Sequence, residues 1–165
     1  MITKLIPKKV FFTSGVGRHP ENLESFEVAL RDAGIEKFNL VTVSSILPPK
    51  CEVVSREKGL EELSPGEIVF CVMSRISSNE PRRTLSASVG CAFPQNINRH
   101  GYISEYNAYG ETAQDVGKHS EKLARSMYST WINEAPLRTL SFPRSSSVDE
   151  HGDWMTVISV AVFTI

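Results

Sequence analysis

The sequence predicts a single α+β domain, and three observations carry that prediction. The chain has 165 residues, enough for one buried core and short for two. Apolar residues recur at helical spacing in two separate segments, one near residue 25 and one near residue 120. The apolar runs of strand length gather in groups around those helices instead of alternating with them one for one, which is the α+β pattern.

Taken in order, Val10 to Thr13 reads as a short first strand, followed by a glycine-containing loop, Ser14-Gly15-Val16-Gly17. A helix is expected from Pro20, whose missing amide hydrogen costs nothing in a first turn. Leu23, Phe26, Leu30 and Ala33 give it one apolar stripe, and Gly34 supplies a left-handed stop. Phe38 to Val43 is a second strand, ended by Ser44-Ser45 and sealed by Pro48-Pro49, which lack the donors a ladder needs. Residues 50–66 are polar and broken by Gly59 and Pro65-Gly66, so they read as a loop with room for a short helical turn.

Ile68 to Met73 is a strand. Leu85, Ala87, Val89, Cys91 and Phe93 alternate with smaller or polar residues, the period-two signature of a half-buried antiparallel strand. Gly101 to Tyr106 follows as another. Ala113, Val116, Ser120, Leu123, Ala124, Met127 and Trp131 mark a long amphipathic helix that ends before Pro136. Leu137 to Phe142 and Trp154 to Ile165 close as strands, separated by a serine-rich loop at 144–152.

Composition removes several classes of function. Hydrophobic residues make up 41% and charged residues 22%, as in soluble globular proteins. With a net charge of −1 and no basic stripe, no nucleic-acid partner is expected; Arg82-Arg83 is too short a track. Met1 to Pro7 lacks the apolar core of a secretory signal, and no run approaches the ~18 apolar residues of a membrane span. Cys51, Cys71 and Cys91 are odd in number and form no C-x-x-C pair, so neither disulfides nor structural zinc is expected, and a reducing cytoplasm is. His19, His100, His119 and His151 show no ligand spacing, so no metal is expected.

Several short patterns carry little chemistry. Gly15-Val16-Gly17 lacks the third glycine of a dinucleotide fingerprint and reads as a loop needing backbone freedom. Ser55-Arg56-Glu57-Lys58 matches S-x-x-K but has no S-D-N or K-T-G partner. Other residues stay open on local grounds. Glu105, inside an apolar strand, is either on a solvent face or held for chemistry. Glu27 either pairs with Arg31 at i,i+4 or faces a ligand. Asn39 is either a strand-edge residue or a placed amide donor.

Ser-Ser is a common pair, and this chain also has Ser77-Ser78 and Ser145-Ser146-Ser147. Alone, Ser44-Ser45 marks a strand end. Its setting is more specific: the stretch Asn39-Leu40-Val41-Thr42-Val43-Ser44-Ser45-Ile46-Leu47-Pro48-Pro49 is preceded by Ser25 to Ile35 (S-F-E-V-A-L-R-D-A-G-I) and followed by Gly101 to Tyr106 (G-Y-I-S-E-Y). These three blocks, in this order, resemble the pyruvoyl-dependent arginine decarboxylases.

The resemblance implies a sandwich of antiparallel sheet with helices packed outside, assembled as a homotrimer. It implies that the Ser45 hydroxyl attacks the Ser44 carbonyl, turning the peptide into an ester. β-Elimination then leaves dehydroalanine at 45, and hydrolysis releases ammonia and leaves a pyruvoyl group. The chain would become fragments 1–44 and 45–165. The cofactor would be that pyruvoyl group, with no metal and no pyridoxal phosphate, and the reaction would convert L-arginine to agmatine and carbon dioxide. Glu105 would be the proton donor, and Asn39 would polarise the carbonyl at the scissile bond. Glu27 would hold the substrate guanidinium and Leu30 its methylenes. Glu27 departs by one methylene from the aspartate typical of archaeal members. The alternatives are a pyruvoyl decarboxylase for another amino acid such as histidine, and an uncleaved, non-catalytic trimeric binding protein.

Overall fold

The computed structural model describes residues 4–165. Strand β1 (Lys9–His19) leads to helix α1 (Asn22–Ala33), then β2 (Asn39–Thr42), β3 (Ile46–Leu47), β4 (Glu52–Val53) and the short helix α2 (Arg56–Glu61). Strands β5 (Ile68–Ser78), β6 (Thr84–Phe93) and β7 (Gly101–Tyr109) precede helix α3 (Ala113–Ile132), and β8 (Arg138–Ser147) and β9 (Trp154–Thr164) complete the chain.

The strands form two sheets, ordered β2-β5-β9-β1-β4 and β3-β7-β6-β8. Helix α1 packs on β1 and β9, α3 packs on β6, β7 and β8, and the inner faces of the two sheets meet. The result is a four-layer α-β-β-α sandwich, the α+β architecture the sequence predicted. Val72, Val89, Ile103, Ala161 and Phe163 fill the space between the sheets. Phe11, Ala29, Val69, Ile158 and Val160 fill the space under α1. The long partnership of β1 with β9, from Lys9↔Thr164 to His19↔Trp154, joins the two ends of the chain.

Ser14 to Gly17 is not a loop. These residues lie inside β1, and their glycines answer a packing demand instead of a turn. A Cβ on Gly15 would stand 2.0 Å from the Ala29 carbonyl oxygen, and one on Gly17 would stand 2.0 Å from that of Ser25. Helix α1 therefore lies almost on the backbone of β1. This also corrects its predicted stripe: Leu23 is 76% exposed, and the face turned inward is Ser25, Ala29, Leu30 and Ala33. The Ser25 and Thr156 hydroxyls meet at 2.7 Å beneath the helix. Gly34 does end α1, with φ at 81°. Gly17→Ala is expected to push α1 off the sheet and cost ~1–3 kcal/mol or more. A lowered urea midpoint with an unchanged slope would show it.

β6 is buried on both faces and not on one. Its intervening residues are small because α3 covers them: a Cβ on Gly90 would stand 2.3 Å from the Ser120 carbonyl oxygen, and the Ser88 and Ser120 hydroxyls meet at 2.8 Å. The predicted loop at 144–152 is shorter, because β8 continues to Ser147 paired with Thr84. Within the polar stretch 50–66, Ser55 caps α2 by accepting the Lys58 amide at 3.2 Å. That is the local reason for the S-x-x-K pattern.

Candidate active site

The Ser44-Ser45 peptide spans the gap between the two sheets. Before it, β2 runs parallel to β5 in the first sheet, and the Val43 amide donates to the Cys71 carbonyl at 2.8 Å. After it, β3 runs antiparallel to β7 in the second sheet, pairing Ile46 with Tyr102. The Ile103 amide donates to the Ser45 carbonyl at 2.8 Å. One residue, Ser44, separates the two anchors; it is exposed, and Ser45 is half-buried. Neither serine has a positive φ.

Glu105 lies two residues beyond Ile103 on β7. Because Ser45 bonds to Ile103, Glu105 is its diagonal neighbour, at the ~7–8 Å that long side chains can span. Glu105 is exposed as a residue, yet its carboxyl has lost enough water to burial to raise its pKa above the ordinary carboxylate value. Burial first, and the Glu105 charge second, push the Cys71 thiol up to about 12. The carboxyl is thus felt on the β5 side of the gap as well. Beside it, the Ser74 hydroxyl of β5 donates to the Tyr106 carbonyl at 2.8 Å, tying the two sheets together next to Glu105.

Asn39 and Leu30 stand elsewhere. With Phe26, Thr42, Met73 and Arg75 they line a cavity of about 500 Å³ on the α1 side of the β2–β5 edge, within the size range of small-molecule sites. The Asn39 side-chain amide donates to the Gly66 carbonyl at 2.8 Å. Asn39 is separated from Ser45 by six residues, roughly 20 Å of extended chain. Glu27 falls between Phe26 and Leu30 in sequence but is not in the lining; its Oε1 accepts the Arg31 Nε at 3.1 Å. A single chain therefore brings Ser44, Ser45 and Glu105 together, groups Leu30 with Asn39, and leaves Glu27 beside that second group. The cavity lining that Leu30 and Asn39 share includes none of Ser44, Ser45 and Glu105.

A family model described as pyruvoyl-dependent arginine decarboxylase matches residues 9–165. The chain belongs to this family. The Methanosarcina acetivorans protein named pyruvoyl-dependent arginine decarboxylase 1 is 79% identical over 165 residues, covering the whole of both chains. The Methanosarcina mazei protein of the same name is 75% identical over 165 residues with the same coverage. The Methanocella arvoryzae pyruvoyl-dependent arginine decarboxylase is 62% identical over 162 residues, 98% of each chain. Membership makes the protein an enzyme whose chemistry depends on a pyruvoyl group.

Sequence reading missed Ser74 and Arg75, because the strand was expected to stop at Met73. A signal was available: Cys71, Met73 and Arg75 share one face of a strand at period two, so continuing the pattern would have placed a lone arginine beside Met73. A larger cleft, about 620 Å³, opens between Phe12, Asp32, Arg56 and Arg144. It contains none of the candidate residues, and its Arg144 pairs with Asp32 at 3.3 Å. Among the described residues no group of three His, Cys, Asp or Glu side chains is placed to hold a metal, and no helix is long and apolar enough to cross a membrane.

Proposed function

We propose that the chain cuts itself between Ser44 and Ser45 and then decarboxylates L-arginine to agmatine and carbon dioxide. The observation that carries this is the suspension of that peptide between two sheets, with Val43 tied to Cys71 and Ser45 tied to Ile103. Anchors on either side hold the Ser45 hydroxyl and the Ser44 carbonyl in one local geometry, so the attack is intramolecular and needs no second reactant. The residues fit a pyruvoyl group at 45: the precursor serine is present, its carbonyl is held by Ile103, and an acid stands one diagonal step away. When formed, such a group supplies an electron sink for the bond to the departing carboxylate.

The chain's own residues supply the rest. Glu105, whose pKa burial raises above the usual carboxylate value, is suited to deliver a proton to the carbon that loses carbon dioxide. Leu30 would line the substrate's methylenes. Glu27 would exchange its exposed partner Arg31 for the substrate guanidinium, a planar cation that a carboxylate can grip with two hydrogen bonds. The pocket contains neither serine nor Glu105, so we assign the complete site to two copies meeting in a trimer. Two features support this. β2 is an edge strand, and Val41, Val43 and Ile46, which flank the serines, are each about 40% exposed. In that assembly Asn39 would serve the serine pair of a second copy. The unpaired thiols Cys51, Cys71 and Cys91 support a reducing, cytoplasmic setting.

Carbon dioxide release from carboxyl-labelled L-arginine and L-histidine tests the substrate. Release from arginine and none from histidine is expected; equal release would make the enzyme a different pyruvoyl decarboxylase. Glu27→Gln should raise KM for arginine roughly tenfold to a hundredfold, the loss of a charge-assisted contact. Its kcat should hold, because the guanidinium is remote from the reacting carbon. An unchanged KM would return Glu27 to the role of surface partner of Arg31.

A further inference from the structure

The cavity beside Leu30 and Asn39 holds a cation with no anion. Arg75 is the charged side chain among its lining residues. Its guanidinium carbon stands 3.6 Å from the centroid of the Phe26 ring, a close cation–π contact. Among the described residues no carboxylate lies within ion-pair distance of it. Arg75 is exposed as a residue, though partial burial lowers its pKa; an arginine stays charged at neutral pH. A guanidinium held against an aromatic ring and without a counter-ion is a seat for a carboxylate, which it can grip through two parallel hydrogen bonds.

This position is at first sight wrong for the site of a cationic amino acid. Arginine, however, carries one negative group, the carboxylate on its α-carbon, and the proposed reaction removes that group. We propose that Arg75 binds the carboxylate of the incoming amino acid and so distinguishes substrate from product, an inference that rests on the decarboxylase reading above. Before reaction, the carboxylate faces Arg75 and the pair attracts. After carbon dioxide leaves, Arg75 faces a product whose remaining charges are all positive, and attraction turns to repulsion. The same side chain therefore favours entry of arginine and departure of agmatine. Its contact is made in the ground state and given up during reaction, so it acts on KM and not by speeding the chemical step.

The test compares processed wild-type enzyme with Arg75→Gln, measuring KM for arginine and the inhibition constant of agmatine, which has no carboxylate. In the variant, KM for arginine should rise about tenfold or more, with kcat unchanged or higher. The agmatine constant should stay the same or fall. Arg75→Lys keeps the charge without the fork and should recover part of the loss. A variant that weakens arginine and agmatine alike would overturn the proposal. So would a variant that alters only the size of the assembly, which would give Arg75 to a carboxylate of a neighbouring copy. Wild-type enzyme that neither decarboxylates arginine nor is inhibited by agmatine would instead remove the underlying reading, and the proposal with it.

Discussion

Ser45→Ala is expected to leave the chain whole and to abolish decarboxylation. The substitution deletes the hydroxyl that would attack the Ser44 carbonyl and the oxygen that would be eliminated from the resulting ester. It keeps the backbone carbonyl that Ile103 holds at 2.8 Å, so the fold around the junction should survive. Wild-type protein, denatured without added protease, should separate into fragments 1–44 and 45–165 by intact mass. The larger should lack a free amino terminus and be trapped by borohydride in the presence of an amine. Ser45→Ala should show one mass, that of the full chain, with a melting temperature near that of the uncut protein. Wild-type protein that stays in one piece under all conditions would sink self-processing and leave the non-catalytic binding protein.

Glu105→Gln should separate the two reactions that the site is proposed to perform. The amide keeps the shape but cannot give up a proton as the acid does, so kcat should fall ~10²–10⁴-fold while self-cleavage proceeds. The pH dependence adds a second readout. Burial raises the pKa of Glu105, and the protonated form is the donor. Activity from this group should therefore persist above the ordinary carboxylate range and be lost as pH rises through the raised value. In Glu105→Gln that alkaline limb should vanish from the kcat profile. Activity retained within a few-fold, with the limb intact, would mean that another group supplies the proton.

Element types were legible from local pattern, because helical and strand periodicities reflect which side chains face a core. The Gly34 stop falls where the sequence puts it. The α3 stripe holds at Val116, Ser120 and Ala124, but Tyr128 is the buried residue of its last turns and Trp131 is 43% exposed. The errors came from the partner surface, which no single segment displays. Gly15 and Gly17 looked like a turn because glycine's permissive backbone and its lack of a Cβ are indistinguishable in a sequence; here the second property mattered. Leu23 looked buried because helical spacing says nothing of which arc meets the sheet, and the glycine floor of β1 selected the small-residue arc of Ser25, Ala29 and Ala33.

The candidate site divided along the same line. Ser45 and Glu105 are joined by strand pairing between blocks more than fifty residues apart, which the sequence does not record. The family resemblance named both, and the register of β3 against β7 set them beside each other. Arg75 carries no motif. It became visible only once the cavity around Leu30 and Asn39 had walls.

The placement of β1 has a consequence for how the protein can come into being. β1 lies between β9 and β4, and both neighbours belong to the segment after residue 45. A cut at the serines would therefore not release the first 44 residues; they would remain threaded as an inner strand and a covering helix. The reverse journey would be harder. Two separate pieces would have to find each other before either could complete its sheet, at a rate set by their concentration, whereas the uncut chain closes the same contacts within itself. Under the proposed cleavage, maturation would be ordered: the molecule would fold once, as one chain, and the cut would convert it into a complex that has no equally easy route back.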